Sequence, residues 1–210
     1  MGYKKFRDKY PKTANALETA RHALTIAKGV ASVINVEFKH IDTAGTTVNP
    51  TATGIVLPMN SCAEGTASSE RNGLSVRNKS LFIRGFVTGN ASASNTLLRI
   101  MVVKELNPNG ATPLITDILE TGFREISLMN NINGKEFKVL YSKFITMSAD
   151  GSETAFFEKY LKLNGHTKYN SSSGAATSID YGGYYLVMAS NQATNTPTVN
   201  YTSRIRYVDN

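Results

Sequence analysis

From Val33 to the C-terminus, apolar residues recur at every second position in short runs, separated by loops rich in Gly, Asn, Ser and Thr. A strand turns successive side chains to opposite faces, so a period of two commits most of this chain to β-sheet with one face in a core. In the last run Val199, Tyr201, Ile205 and Tyr207 share one face, while Asn200, Thr202, Arg204 and Arg206 share the other. Phe137, Val139, Tyr141, Ile145 and Met147 alternate likewise, with Lys143 the exception. Further strands are expected over 33–42, 53–57, 75–88, 96–106, 154–163 and 182–190, which makes eight.

One interruption is helical. Thr112 and Pro113 form an N-cap and first-turn pair, Leu114, Ile115, Ile118 and Leu119 supply an apolar face, and Gly122 supplies a stop between the fourth and fifth strands. At 210 residues the chain fits one domain of ordinary size. The expected class is all-β: a single eight-stranded jelly-roll sandwich rather than an up-and-down barrel of tight hairpins, because the connections are long and irregular. No repeat at a fixed period points to a propeller or solenoid. Leu97, Leu98, Ile100, Met101, Val102 and Val103 are apolar toward both faces, so the outer face is covered either by another subunit or by the chain's own loops.

The first 32 residues read as a separate basic arm and amphipathic helix, leaving 33–210 as the sandwich. Residues 1–40 carry eight Lys/Arg against three acids, whereas the whole chain has a net charge of +7. Lys4, Lys5, Arg7, Lys9 and Lys12 are interleaved with Tyr3, Phe6 and Tyr10. From 15 to 34, Leu17, Ala20, Leu24, Ala27, Ala31 and Ile34 form a narrow apolar stripe at helical spacing, Asn15 and Glu18 resemble a capping box, and Arg21, Thr25, Lys28 and Ser32 are assigned to the opposite face. Such a stripe suits a few identical helices packed on each other. Lys4, Lys5, Arg7, Lys9, Lys12, Arg21 and Lys28 are the candidate nucleic-acid contacts. An organelle-targeting peptide, a membrane-surface helix and an ordinary solvated basic tail are the competing readings of the same segment.

Catalytic chemistry finds no local support. His22, His40 and His166 are too far apart in sequence for a local metal-ligand motif, and phosphate-loop and nucleophile-elbow patterns are missing. The expectation is therefore no enzyme and no cofactor, with no metal assigned. The single cysteine, Cys62, reads as a bystander and suits a reducing compartment. No apolar stretch approaches the roughly 20 residues of a membrane span.

The order of several runs resembles a known group. Arg71-Asn72-Gly73-Leu74-Ser75-Val76-Arg77-Asn78-Lys79-Ser80-Leu81-Phe82-Ile83-Arg84-Gly85 is similar to the segment of small icosahedral virus coat proteins where a polar loop enters a strand ending in Arg-Gly. Leu98-Arg99-Ile100-Met101-Val102-Val103-Lys104-Glu105, the Thr112-Pro113 helix and Phe137-Lys138-Val139-Leu140-Tyr141-Ser142-Lys143 follow in similar order and spacing. The chain resembles satellite tobacco necrosis virus coat proteins and, more closely in flavour, capsid proteins of circular Rep-encoding single-stranded DNA viruses.

The resemblance implies a virion component: a capsid protein that assembles with itself into a T=1 icosahedral shell, with the basic N-terminus facing a single-stranded DNA or RNA genome. The helix over 15–34 would gather near three-fold axes. Arg204 and Arg206 are candidate genome contacts on the inner sheet, with an exposed sheet face or a subunit contact slightly favoured as their role. No membrane partner is expected, the host receptor is not readable, and assembly falls in the host nucleus or cytoplasm, with Lys4 to Lys9 a short basic run of the nuclear-import kind. The alternative from another class is a jelly-roll binding module for carbohydrate or receptor recognition.

Overall fold

The structure, a computed structural model, describes residues 11–33, 38–93, 95–107, 110–130, 132, 136–149 and 153–209. The chain divides into two compact units, Met1–Glu37 and Phe38–Asn210. In the first, α1 runs over Pro11–Val33. It begins four residues earlier than the sequence suggests, because proline's fixed φ suits the first helical position, where its missing N–H is not needed. Asn15 therefore lies inside the helix and is not its cap. The described side chains, 16–29, are all exposed, Leu17, Leu24 and Ile26 among them. Helical spacing also corrects the assignment of the charges: Arg21 follows Leu17 by four residues and Lys28 follows Leu24 by four, so both cations flank the apolar stripe instead of opposing it. Ile34 lies outside the described residues.

Among the described residues the second unit holds nine strands where eight were expected: β1 Phe38–Val48, β2 Ile55–Pro58, β3 Ser75–Thr88, β4 Thr96–Glu105, β5 Phe137–Met147, β6 Thr154–Tyr169, β7 Ile179–Tyr181, β8 Tyr184–Ser190 and β9 Thr198–Asp209. The additional strand is the three-residue β7, too short to show alternation. Val33 ends the helix rather than opening a strand. β6 continues past Leu163 because a register shift between Asn78 and Ser80 absorbs Leu163 and Asn164 and brings Gly165, which reads as loop by composition, back into register opposite Asn78. All strand pairings are antiparallel, in a five-stranded sheet ordered β1-β9-β3-β6-β7 and a four-stranded sheet ordered β2-β8-β4-β5. In β1 the register shifts between Thr43 and Thr46, where Gly45 takes φ +48°, a left-handed conformation that glycine adopts without a Cβ penalty.

The core lies between the sheets. Leu81, Ile83 and Val87 of β3 and Val199 and Ile205 of β9 meet Leu98, Ile100 and Val102 of β4 and Leu186 and Met188 of β8. A second apolar cluster answers what covers the other face of β4. Met101 and Val103 pack with Ile115, Ile118 and Leu119, so the chain's own connection covers them. Within that connection a single helical turn, α2 Ile115–Ile118, follows Thr112 and Pro113 instead of starting at them. Its first turn is held by the Leu114 N–H donating to Asp117 Oδ2 at 2.8 Å. It ends before Gly122 because Leu119 turns extended and bridges to Met129.

Two cations are structural. Lys39, 2% exposed, pairs with Asp209 Oδ2 at 3.0 Å and donates to Glu70 O at 2.9 Å and Asn72 Oδ1 at 2.8 Å. Arg71, fully buried, donates to the carbonyls of Cys62, Gly73 and Ser171 and lies 4.2 Å from the Tyr169 ring centroid. Lys39 thus has a partner for each of its three donors, and Arg71 has a carbonyl for each guanidinium nitrogen with Glu64 Oε2 3.7 Å from Nη1, so both buried charges have partners to offset desolvation.

The Arg84-Gly85 step of β3 needs its glycine. A Cβ at Gly85 would sit against the Asn200 carbonyl oxygen, 2.8 Å from Phe157 Cζ and 2.9 Å from Tyr201 Cβ. The oxygen belongs to the neighbouring strand and cannot swing aside. Gly85→Ala is expected to cost about 1–3 kcal/mol by overpacking, seen as a lower urea midpoint at unchanged slope.

Candidate nucleic-acid interface

The pleat of β9 sends Val199, Tyr201, Ser203, Ile205 and Tyr207 inward and Asn200, Thr202, Arg204 and Arg206 to the open face of the five-stranded sheet. Register extends that face into four cross-strand rows. Arg206 stands between His40 and Ser80, beyond which lies Lys162; Arg204 stands between Asp42 and Phe82, beyond which lies Tyr160. Thr202 is followed by Arg84 and Glu158, and Asn200, opposite Thr47, by Phe86 and Phe156. Two shallow grooves cross these rows. One of about 510 Å³ is lined by Asp42, Ser80, Phe82, Arg84, Tyr160, Arg204 and Arg206, and one of about 680 Å³ by Arg84, Phe86, Phe156, Glu158, Asn200 and Thr202.

The two arginines differ in their company. Arg204 holds Asp42 in a fork, Nε to Oδ1 at 2.7 Å and Nη2 to Oδ2 at 2.6 Å, the bidentate geometry its planar head favours. These hydrogen bonds hold the Asp42 carboxyl below the usual carboxylate range against a smaller upward push from burial, with the Arg204 and His40 charges adding to the lowering. Arg206 is exposed and has no hydrogen-bond or ion-pair partner among the described residues. Arg84 is exposed as well, its guanidinium carbon 5.9 Å from the Phe82 ring centroid. Chemically, the face offers cationic donors beside accessible rings, with His40 Nε2 3.8 Å from Asp42 Oδ2.

Of the sequence-derived contacts, Lys4, Lys5, Arg7 and Lys9 lie outside the described residues, and Lys12 falls within α1. Arg21 and Lys28 are exposed on α1, whereas Arg204 and Arg206 share one face of the other unit. Arg84, Lys162 and the four rings were missed. Arg84 and Phe82 stand at alternate positions of β3, and Phe156, Tyr160 and Lys162 at alternate positions of the strand expected over 154–163, but the pairing that joins them in one face is non-local and neither run encodes it.

Among the described residues, no group of three or more His, Cys, Asp or Glu is placed to hold a metal ion. His22 is exposed on α1. Cys62 is buried, and that burial pushes its thiol above the ordinary value, which keeps it protonated and unreactive.

The described residues thus present a cationic and aromatic sheet face on an antiparallel sandwich. The chain is a viral coat protein. Residues 14–210 match the model of the family described as satellite tobacco necrosis virus coat protein, and the chain belongs to that family. Membership implies a structural role in the virion. Among solved structures, that of Desmodium yellow mottle tymovirus is similar at 12% identity over 82% of this chain and 87% of that chain, with a TM-score of 0.33. That of infectious bursal disease virus Gt strain is similar at 10% identity over 84% of this chain and 34% of that chain, with a TM-score of 0.28. No curated protein sequence matches.

Because the folded Asp42 carboxyl sits below its unfolded value, the stability it contributes is present above the unfolded pKa and is lost as pH falls through the folded one. Arg204→Leu removes the leading cause. The Asp42 pKa is then expected to rise toward the ordinary value of about 3.9, read by carboxyl NMR titration of dissociated subunits; an unmoved value would place the cause elsewhere.

Proposed function

We propose that this coat protein folds as a jelly roll and assembles with copies of itself into a T=1 icosahedral shell around a single-stranded nucleic acid, held by sequence-independent phosphate contacts. The family match over residues 14–210 carries the reading. The strand order supports the jelly roll: β1-β9-β3-β6 faces β2-β8-β4-β5, so successive strands from β1 to β9 repeatedly change sheets, as in two nested Greek keys. The β4–β5 connection supports self-association. Leu114, Phe123, Ile126, Leu128 and Ile132 are exposed there, Ile132 at 91%. Large apolar side chains gathered in one connection mark a surface meant to be covered.

The cargo contacts fall to two places: the arm, through Lys4, Lys5, Arg7, Lys9, Lys12, Arg21 and Lys28, and the sheet face, through Arg206 and Arg204. The boundary of the units matters for the charge. Lys39 belongs to the sheet unit and is buried against Asp209, so it cannot serve the arm. Residues 1–37 carry seven Lys/Arg against three acids, a net of +4 instead of +5. About sixty arms then supply roughly 240 positive charges, well short of a genome on the order of a thousand phosphates. Mobile cations and the inner wall supply the remainder. The family match is to the coat protein of an RNA virus, whereas the likeness to single-stranded DNA virus capsids rests on the sequence runs alone. Phosphate contacts barely distinguish the two.

Size-exclusion chromatography with negative-stain microscopy tests assembly: uniform spheres are expected, and a 22.8 kDa species at every ionic strength overturns the shell. Replacing Lys4, Lys5, Arg7 and Lys9 by Gln is expected to leave shells intact, reduce packaged nucleic acid, and flatten the dependence of binding on log salt by about 0.7–0.9 for each phosphate no longer neutralised. Shells lost with nucleic-acid binding unchanged would overturn the assignment of the arm to the cargo.

A further inference from the structure

We infer that the open face of the five-stranded sheet binds unpaired bases of a single strand, with Phe82, Tyr160, Phe86 and Phe156 as stacking surfaces and Arg84 and Arg206 as phosphate partners. The inference rests on the nucleic-acid reading of the coat protein and adds the chemistry met at the sheet wall.

Register builds the platform. Phe82 stands opposite Tyr160 and Phe86 opposite Phe156, two aromatic rungs four residues apart on β3, or about 13 Å along the strand. Arg84 lies between the rungs, and Arg206 lies one row beyond Phe82. Tyr160 is 57% and Phe156 73% exposed, although both stand on regular strand positions. The Phe86 and Phe156 rings are 6.2 Å apart and tilted by 51°, so they do not cover each other's faces. An open ring face accepts any base, whereas paired bases in a duplex are already stacked on each other.

Charge complementarity selects the occupant. Asp42 and Glu158 are the acids in these rows; Arg204 neutralises the first, and Arg84, Arg206 and Lys162 outnumber the second. A phosphate chain brings the opposite sign, and its bases suit the rings.

The full-length protein is titrated with a labelled thymidylate strand of roughly 20 nucleotides, an abasic strand with the same number of phosphates, and a duplex of the same length. The base-bearing strand is expected to bind about tenfold more tightly than the abasic one. The double variant Phe156→Ala, Tyr160→Ala is expected to erase that preference while keeping the salt slope, and Tyr160→Phe, which keeps the ring, to retain it. Arg206→Ala is expected to weaken both single strands alike and reduce the slope by about 1. Equal affinity of the unaltered protein for the base-bearing and abasic strands overturns the platform and leaves the phosphate reading standing. A double variant that loses shells yet keeps the preference also overturns it, assigning the rings to contact between copies. No binding to any of the three overturns the nucleic-acid reading, and the platform with it.

Discussion

The pleat of β9 is the constraint on which both the core and the open face depend. Its inward residues close the space between the sheets, where Val199 and Ile205 are fully buried, and each step that places one of them inward places Asn200, Thr202, Arg204 or Arg206 outward. A slip of one residue would send arginines into the core and tyrosines to water. Burial of the apolar set therefore fixes the cationic set, and β1 and β3 on either side extend the arrangement through their register. The groove lined by Arg84, Arg204 and Arg206 is a by-product of how the core is sealed.

Formal charge and available charge are different quantities in this molecule. Lys39 and Arg71 contribute to the basic total, but one closes an ion pair with Asp209 and the other threads three carbonyls beneath the Tyr169 ring. Arg204 is exposed yet held by Asp42. The positive field on the open face of the sheet unit therefore comes from Arg84, Arg206, Lys162 and their neighbours. Sequence arithmetic cannot separate these groups, because it counts a lysine identically whether water or a carboxylate surrounds it.

The alternation of residues was legible wherever one face meets the core and the other meets water. β3 and β5 begin and end where the period of two does, and β9 differs only at its ends. The misses have separate physical causes. β7 is too short to carry a period, β6 runs on through a register shift at Leu163 and Asn164 into a Gly165 that composition reads as a loop, and α2 is trimmed by the pairing of Leu119 with Met129. The apolar outer face of β4 announced that something covers it; only packing shows that Ile115, Ile118 and Leu119 do so. For the site, the arginines of β9 were visible singly, but the aromatic rungs require the pairing of β3 with β6, a contact between residues about 75 positions apart that no local pattern encodes.

The position of β9 also sets a timetable for the nascent chain. The final strand in sequence lies between the first strand of the sandwich and the third, so the five-stranded sheet has a gap until the ribosome has delivered residues 198–209. Before then β1 and β3 each present a row of unpaired backbone groups, and the core lacks Val199 and Ile205. Translation and folding are thereby coupled: a subunit cannot mature from its N-terminus forward, and a molecule truncated before β9 would display two sticky edges in place of a finished wall.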